Sequence, residues 1–317
     1  MISLNKLALK VVDEIIEKKD ILRVEVLKAE NGATVIDCGV KAEGGYEAGV
    51  YLAQVCLAGL ARITLHHRVY GDVVLPVIDQ FIEYPVLACM ASQYAGWRIS
   101  HEKYFAMGSG PARALAKKPK KLYKEIGYED DSDEAVLVLE ASKLPNTEVL
   151  NVIAEKCGVT PNNLYVLVAS TSSVAGSIQI SCRIAETGIH RLHTLHFPLD
   201  KIISAAGVCP IAPVHPDSTI MMGRTNDALI YAGETFYIVD FENEDELKEF
   251  VEKTPSSKSP SYGKPFFEIF KEAGYDFYKI DPGLFAPATI TVYNRKTGNA
   301  FSSGSININV LKKSWNL

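Results

Sequence analysis

The sequence of 317 residues contains no apolar run that approaches the ~18 residues a helix needs to span a bilayer. Its first residues, Met1 to Lys6, also lack the charged segment and apolar core of a secretory signal peptide. We therefore expect a cytoplasmic protein that does not bind to a membrane.

The sequence also lacks the spacings that mark disulfide frameworks and metal sites. Its six cysteines form no Cys-x-x-Cys pair and lie far apart among apolar or small residues, which favours buried free thiols in a reducing compartment. His190, His193 and His196 are spaced three apart, so they would not converge on a helix, and no HExxH signature is present. We expect no metal ion.

A concentrated basic surface is missing as well. The net charge is −5, and the densest basic run, Lys117 to Lys121, is followed closely by the acidic stretch Glu125 to Asp131. Because nucleic-acid phosphates require clustered basic side chains, we expect no nucleic-acid partner. The basic run is predicted to be a solvated helix end.

What the sequence does contain is enough apolar material, 47% of its residues, to bury more than one core. Helix and strand patterns alternate without a strict βαβ order, which predicts an α/β (α+β) fold with mixed sheets. A weak internal similarity between residues 123–129 and 270–276 indicates either two related lobes with a ligand cleft between them or a shared way of ending a helix. We place the lobes approximately at residues 1–170 and 171–317, intertwined, with a buried central helix in the second.

Hydrophobic periodicity predicts the individual elements, except over residues 92–113, where small, aromatic and amide residues indicate a long irregular segment that ends in a helix start at Pro111. Helices are predicted at residues 4–16, 48–60, 146–157, 244–253 and 265–273. Strands are predicted at residues 22–27, 33–40, 61–70, 73–83, 135–140 and 164–169, with a terminal hairpin from residue 288.

The central segment covers residues 170–188. Ser170 to Ser173 offer four helix caps directly after a buried strand, and apolar residues then recur at spacings of three and four among small ones. A helix that is slim and apolar nearly all round is usually buried. Two full charges, Arg183 and Glu186, interrupt it at a spacing that places them on one face.

This pair has two interpretations. It could be a structural ion pair at a helix end, or it could face a cavity as part of a functional site. If the helix ends at Thr187-Gly188, Glu186 opposes the helix macrodipole at a cost of about 0.3–1 kcal/mol. In a functional site, Glu186 could accept a proton from water while Arg183 holds the carboxylate in place and ionised.

Several long segments of unusual composition point to one family. They are NGATVIDCGV (31–40), GGYEAG (44–49), GWR (96–98), FAMGSGPARALA (105–116), EIGYEDD (125–131), GSIQI (176–180), TNDALIYAG (225–233), YGKPF (262–266) and YDFYKIDPGLFAPA (275–288). In these segments the chain closely resembles the methenyltetrahydromethanopterin cyclohydrolases of methanogenic and related archaea and some methylotrophic bacteria. The resemblance covers essentially the whole length.

The resemblance implies a reaction of one-carbon metabolism. The family reversibly hydrolyses the methenyl cation, bridged between two nitrogens of a reduced pterin, to the N5-formyl form, without a metal or a redox cofactor. The family's arginine and glutamate on the central helix match Arg183 and Glu186. Glu186 would assist water attack on the bridging carbon and return a proton to the departing nitrogen. Because members of the family tend to form trimers, the resemblance also implies a homotrimer.

Further residues are candidate substrate contacts, each with a local structural role as the alternative. Gly108-Ser109-Gly110 could cradle an anion before a helix start or form a tight turn, although it matches no dinucleotide or P-loop fingerprint. The other candidates supply hydroxyl, amide, carboxylate or ammonium groups to a pterin. They are Ser92, Gln93, Thr187, Asn226, Asp227, Tyr262 and Lys264.

Two other functions remain open at this stage. The protein could be a pterin-binding carrier or regulator without chemistry, although the presence of both Arg183 and Glu186 argues against it. It could also be a formyl-transfer enzyme, which would need a site for a second carrier, and no motif for one is present.

Overall fold

The computed structural model describes residues 2–317. The predicted α/β class is confirmed, because this part of the chain contains two six-stranded mixed sheets together with helices. The α-helices are α1 (Leu4–Glu17), α2 (Lys19–Leu22), α3 (Tyr46–Cys56), α4 (Ala112–Ala116), α5 (Lys120–Ile126), α6 (Thr147–Cys157), α7 (Val174–Ser181), α8 (Ile184–Thr194), α9 (Ser218–Ala232), α10 (Glu244–Lys253), α11 (Phe266–Glu272) and α12 (Ile308–Trp315). A π-helical segment covers Val86–Gln93.

The strands fall into two groups by sheet. The first sheet contains β1 (Glu25–Lys28), β2 (Thr34–Gly39), β5 (Trp97–His101), β6 (Tyr104–Ser109), β7 (Ala135–Glu140) and β8 (Leu164–Ala169). The second contains β3 (Ala61–Tyr70), β4 (Val73–Ile82), β9 (Ile202–Pro210), β10 (Glu234–Val239), β11 (Thr289–Asn294) and β12 (Ala300–Gly304).

Two compact units divide the chain, and each takes its residues from two stretches of sequence. Unit 1 contains the residues up to Arg62 together with Val86–Gln179. Unit 2 contains Ile63–Pro85 together with Ile180–Leu317, so the β3–β4 hairpin belongs with the C-terminal half. The two-lobe division at residues 170 and 171 and the cleft stay predictions.

The sheet of unit 1 has the order β1-β2-β8-β7-β6-β5, and its central strands β2, β8 and β7 run parallel. Successive residues of a strand face opposite sides. Ile36 and Leu167 therefore pack in one core with residues of α1 and α3, while Val35 and Val166 pack in another with residues of α6. Helices on both faces explain why these three strands are buried along almost their whole length.

The sheet of unit 2 has the order β12-β11-β10-β9-β4-β3. Helix α8 approaches one face of this sheet closely where glycine replaces a side chain. A Cβ added at Gly207 of β9 would lie 2.7 Å from Cγ2 of Ile184, and one at Gly233, just before β10, would lie 2.2 Å from Cδ1 of Ile184. Both glycines therefore let the start of α8 lie against the strands.

Strongly periodic segments agree with their predictions. This holds for α1, the β1–β2 and β3–β4 hairpins, β7, β8, α10 and the terminal β11–β12 hairpin, except that β1 begins at Glu25 and not at the predicted Leu22, which ends α2. The predicted helix at residues 146–157 is also confirmed, since α6 is capped by the Asn146 side chain and ends at Gly158, which has a positive φ. Pro111 directly precedes α4, as predicted.

The predicted irregular segment at residues 92–113 is wrong in its middle, where β5 and β6 form an antiparallel pair. Trp97 and Ile99 are buried between exposed neighbours, so the alternation of a strand is present but short. In β6 the buried residues Gly108 and Ser109 are too small to register as an apolar pattern.

Gly188→Ala is expected to lower the free energy of unfolding by about 1–3 kcal/mol through overpacking. An added Cβ would lie 2.0 Å from the hydroxyl oxygen of the fully buried Tyr237. Urea denaturation measures the loss, and in a Tyr237→Phe background the same change should cost less. An equal cost in both backgrounds would contradict this packing.

Candidate active site

The central segment contains two helices, so the prediction of one continuous helix is wrong, and neither helix ends at Thr187-Gly188. Helix α7 ends at Ser181 and α8 begins at Ile184, with a turn at residues 182–183. The Ser181 hydroxyl donates to the carbonyl oxygen of Pro210 at 2.9 Å, which anchors the end of α7 to β9. Gly188 lies inside α8, where its role is close packing against Tyr237.

The break reverses the electrostatic position of the glutamate. Arg183 is the N-cap residue of α8, and Glu186 lies in the first turn of that helix. The positive end of the helix macrodipole stabilises a carboxylate there by about 0.3–1 kcal/mol, whereas the last turn of a longer helix would have destabilised it.

Arg183 and Glu186 form a nearly buried ion pair. Nη1 of Arg183 lies 3.7 Å from Oε2 of Glu186, and the two side chains are 11% and 9% exposed. These two atoms are farther apart than in a hydrogen bond of 2.7–3.2 Å, so the arginine neutralises this carboxylate oxygen without a close bond to it. In such low-dielectric surroundings the attraction exceeds that of an exposed pair.

The protein holds the start of α8 at several points. The Tyr237 hydroxyl donates to the carbonyl oxygen of Ala185 at 2.9 Å. The backbone N–H of Thr187 donates to the carbonyl of Arg183 at 2.7 Å, and the Thr187 hydroxyl donates to the same oxygen at 2.9 Å. Thr187, a predicted substrate contact, therefore stabilises the first turn of α8, which connects Arg183 to Glu186.

Two predicted contacts on α9 and two in the loop before α11 also belong to unit 2. The Asn226 amide donates to the carbonyl of Met222 at 2.9 Å within α9. The Tyr262 ring is half-buried with its centroid 5.0 Å from that of Tyr231, and burial raises the pKa of Tyr262. Lys264 is exposed and pairs with Glu272 at 2.8 Å, which raises the pKa of that lysine. Their roles as substrate contacts stay predictions.

Asp227 is fully buried and connects three helices of unit 2. Its Oδ1 accepts from the backbone N–H of Phe266 at 2.8 Å at the start of α11, and its Oδ2 accepts from the Ser314 hydroxyl at 2.6 Å in α12. Burial raises the pKa of this carboxyl to about 7, although both hydrogen bonds act to lower it. These contacts give Asp227 a structural role whether or not it also binds substrate.

The remaining predicted contacts belong to unit 1, and the backbone of one of them, Ser92, contacts an arginine that the sequence analysis missed. Ser92 and Gln93 are fully buried at the end of the π-helical segment, and the Ser92 hydroxyl donates to the Cys56 carbonyl at 2.6 Å. Ser109 is buried at the end of β6. Arg113, fully buried in α4, donates to the carbonyls of Met90 and Ser92 at 3.2 and 2.9 Å. The sequence did contain a signal for the burial of Arg113, because it is the one charged residue among the small and apolar residues 110–116.

All six cysteines are buried free thiols, as predicted. Burial raises the pKa of Cys157 to about 12 and raises the pKa values of Cys38 and Cys209 as well. These thiols therefore stay protonated and are poor nucleophiles.

Residues 2–317 contain no cluster of three or more histidine, cysteine, aspartate or glutamate side chains suited to a metal ion. Over the same residues, none of the helices has both the length and the hydropathy required to cross a membrane.

A nearly buried carboxylate in the first turn of a helix, beside an arginine, is an arrangement that an acid–base enzyme of the α/β class can use. Comparison with known proteins is more specific. Residues 3–315 match the family model described as Cyclohydrolase (MCH), so the chain belongs to the cyclohydrolase (MCH) family. The resemblance inferred from the sequence is thereby confirmed.

Curated relatives agree over the full length. The chain is 51% identical over 317 residues to the methenyltetrahydromethanopterin cyclohydrolase of Methanococcoides burtonii, covering 100% of this chain and 99% of the relative. It is 52% identical over 318 residues to the protein of that name from Methanosarcina barkeri, with coverage of 100% and 99%. For the one from Methanocaldococcus jannaschii the identity is 50% over 317 residues, with coverage of 99% and 98%.

The raised pKa of Asp227 predicts a pH-dependent stability. Its folded value of about 7 lies above the ordinary value of 3.8, so the folded state keeps a proton that the unfolded state releases. The contribution of Asp227 to the free energy of unfolding should fall by about 1.4 kcal/mol per pH unit as the pH rises from about 4 to about 7. Below about pH 4 this contribution is fully present, because Asp227 is then protonated in both states.

Asp227→Asn is the matched variant, because its amide can accept from Phe266 and donate to Ser314. Chemical denaturation across this pH range should show a flatter dependence for Asp227→Asn than for the wild type. Identical slopes would mean that Asp227 is ionised in the folded protein.

Proposed function

We propose that this protein reversibly hydrolyses methenyltetrahydromethanopterin to N5-formyltetrahydromethanopterin, with Glu186 assisting the attack of water. The observation that carries the mechanism is the placement of Glu186, nearly buried in the first turn of α8 beside Arg183. Membership of the cyclohydrolase family and the printed names of the relatives support the substrate.

The first step is addition of water to the bridging carbon. That carbon is electrophilic because the methenyl cation is amidinium-like, with its charge shared by two nitrogens. Water forms the new C–O bond while Glu186 takes one of its protons, which gives a neutral tetrahedral carbinolamine. The electron pair of the C=N bond moves to nitrogen and discharges the cation.

The second step breaks one C–N bond. The carbinolamine hydroxyl loses its proton as the C=O bond of the formyl group forms, and the departing nitrogen receives the proton held by Glu186. One proton is released to solvent overall. Neither step transfers electrons to an acceptor or requires a Lewis acid, so we propose that no metal or redox cofactor takes part.

The surroundings of Glu186 have two opposed consequences for its action as a base. The α8 N-terminus and Arg183 both favour the ionised carboxylate, which makes it ready to accept a proton but weakens it as a base. Because the electrophile is already cationic, modest base strength is sufficient, and positioning decides the rate. Attraction between Glu186 and the bound cation strengthens binding and does not by itself accelerate the reaction.

The finer assignments stay proposals. We keep as candidate pterin contacts Ser92, Gln93, Ser109, Thr187, Asn226, Asp227, Tyr262 and Lys264. We also propose a cytoplasmic homotrimer, on the family resemblance.

Glu186→Gln should reduce kcat by at least about 100-fold, the lower range of a general base's contribution, while KM rises by a much smaller factor because the attraction to the cation is lost. The amide keeps the shape of the carboxylate but accepts no proton. Loss of the methenyl chromophore on adding enzyme, without any cofactor, measures the rate. Glu252→Gln, an exposed change on α10, is the control and should have wild-type activity.

Full activity of Glu186→Gln would exclude Glu186 as the base. Binding of the methenyl substrate without turnover by the wild-type protein would instead establish a carrier or regulator. An absolute requirement for a second carrier would reveal a formyl-transfer enzyme.

The role of Arg183 can be separated from that of Glu186 by a double-variant cycle. Arg183→Gln leaves the carboxylate nearly buried without its cation, so kcat should fall by about tenfold or more. If Arg183 acts only through Glu186, the Arg183→Gln, Glu186→Gln protein should be no slower than Glu186→Gln alone. A further tenfold loss in the double variant would show that Arg183 acts on the substrate directly.

A further inference from the structure

Arg224 of α9 is a nearly buried cation, of which 8% remains exposed. Among residues 2–317 no carboxylate forms an ion pair with it, and the acidic residue of α9, Asp227, bonds instead to Phe266 and Ser314. Arginine keeps its charge in folded proteins, and a buried charge is costly unless an opposite charge offsets it. The position therefore indicates an anion from outside the chain.

One edge of the Arg224 guanidinium is bonded and the other is open. Nη1 donates to the carbonyl oxygen of Pro213 at 3.1 Å, in the loop between β9 and α9. Nε is buried and has no hydrogen-bond partner in the described part of the chain, and Nη2 has none there either. In a planar guanidinium, the N–H of Nε and one N–H of Nη2 point the same way and match two oxygens of a carboxylate or a phosphate. The open edge therefore has the geometry of a bidentate oxyanion site.

Two other arginines of low exposure have the partners that Arg224 lacks. The fully buried Arg113 donates to three backbone carbonyl oxygens. Arg191 is half-buried, and the carboxylate of Asp281 attracts its charge. The chain thus satisfies or neutralises these two guanidinium groups itself, whereas it leaves one edge of Arg224 for a ligand.

The segment that contacts Arg224 also anchors the break between α7 and α8. The carbonyl of Pro210 accepts from the Ser181 hydroxyl, and the carbonyl of Pro213, three residues later, accepts from Arg224. Three residues of chain span at most about 11 Å. The open edge of Arg224 therefore lies in the same region of unit 2 as the turn that precedes Glu186.

We propose that the Nε–Nη2 edge of Arg224 binds an oxyanion, which is a carboxylate or a phosphate group. Two sources share this chemistry, an anionic group on the side chain of the pterin substrate and a free anion such as inorganic phosphate. The first source rests on the proposed function, and the second does not. Either one pairs the buried charge and so stabilises the folded protein.

The direct test adds inorganic phosphate to the wild-type protein, to Arg224→Gln and to Arg62→Gln. Arg62 is exposed, so its variant controls for the loss of one positive charge. Glutamine keeps a donor for Pro213 but has no charge and no fork. Phosphate should raise the midpoint of thermal unfolding of the wild type and of Arg62→Gln more than chloride of equal ionic strength does, and this difference should be absent in Arg224→Gln.

The KM for the methenyl substrate identifies the source of the anion. If the substrate supplies it, Arg224→Gln should raise KM by about tenfold or more with kcat within twofold of wild type, because a charge-assisted pair of hydrogen bonds is lost. Phosphate should then compete with the substrate in the wild type, and Arg62→Gln should have wild-type kinetics. If the anion is free, KM should be the same in all three proteins while the response to phosphate still separates Arg224→Gln from the wild type.

Arg224→Lys separates binding from a merely structural role. Lysine keeps the charge and loses the fork, so its KM, or its response to phosphate, should lie between those of the wild type and Arg224→Gln. An equal rise of KM in both variants, without a difference in the response to phosphate, overturns the inference.

An unchanged KM together with the same response to phosphate in the wild type and Arg224→Gln also overturns it. The guanidinium would then be a buried charge without a ligand. A wild-type protein that responds to phosphate through Arg224 but does not hydrolyse the pterin would instead reject the proposed function and leave the oxyanion site standing.

Discussion

The break between α7 and α8 is the constraint on which the candidate site depends. It makes Arg183 the N-cap residue of a new helix and places Glu186 in that helix's first turn rather than in the last turn of a longer one. The same carboxylate is thereby stabilised by the helix dipole instead of opposed by it. The Ser181–Pro210 and Tyr237–Ala185 hydrogen bonds fix the helix ends on the two sides of the break.

Glycines allow this arrangement to pack. Gly207 and Gly233 leave room on the sheet for Ile184, and Gly188 leaves room on the helix for the Tyr237 hydroxyl. Rigid packing on both sides of Glu186 limits the motion of its backbone. A base that must be well placed rather than strong benefits from that rigidity, because the attacked carbon is already cationic.

The sequence alone predicts the helices and strands in which apolar residues recur with a clear, regular spacing. Helix α1, the hairpins and the parallel strands β7 and β8 follow from spacing alone. The helix break was missed because the apolar spacing through Cys182 continues without a signal, and long-range bonds such as Ser181–Pro210 set the break. The resemblance between residues 123–129 and 270–276 has a local counterpart, since Gly127 and Gly274 both follow a helix end with positive φ.

The candidate site was predictable only in part, for a similar reason. Arg183 and Glu186 were found because two charges stand out in a slim apolar segment, and their geometry agrees with a shared, nearly buried location. The burial of Asp227 among three helices and the open guanidinium edge of Arg224 depend on which segments meet, which no local pattern records.

The central claim is that Glu186 directs water onto the methenyl carbon. A crystal structure of the Glu186→Gln protein with methenyltetrahydromethanopterin bound tests it most directly. The account predicts an ordered water bonded to residue 186 and about 3–3.5 Å from the bridging carbon, the separation of a near-attack arrangement. A bound pterin whose bridging carbon lies beyond the reach of one water from residue 186 would contradict it.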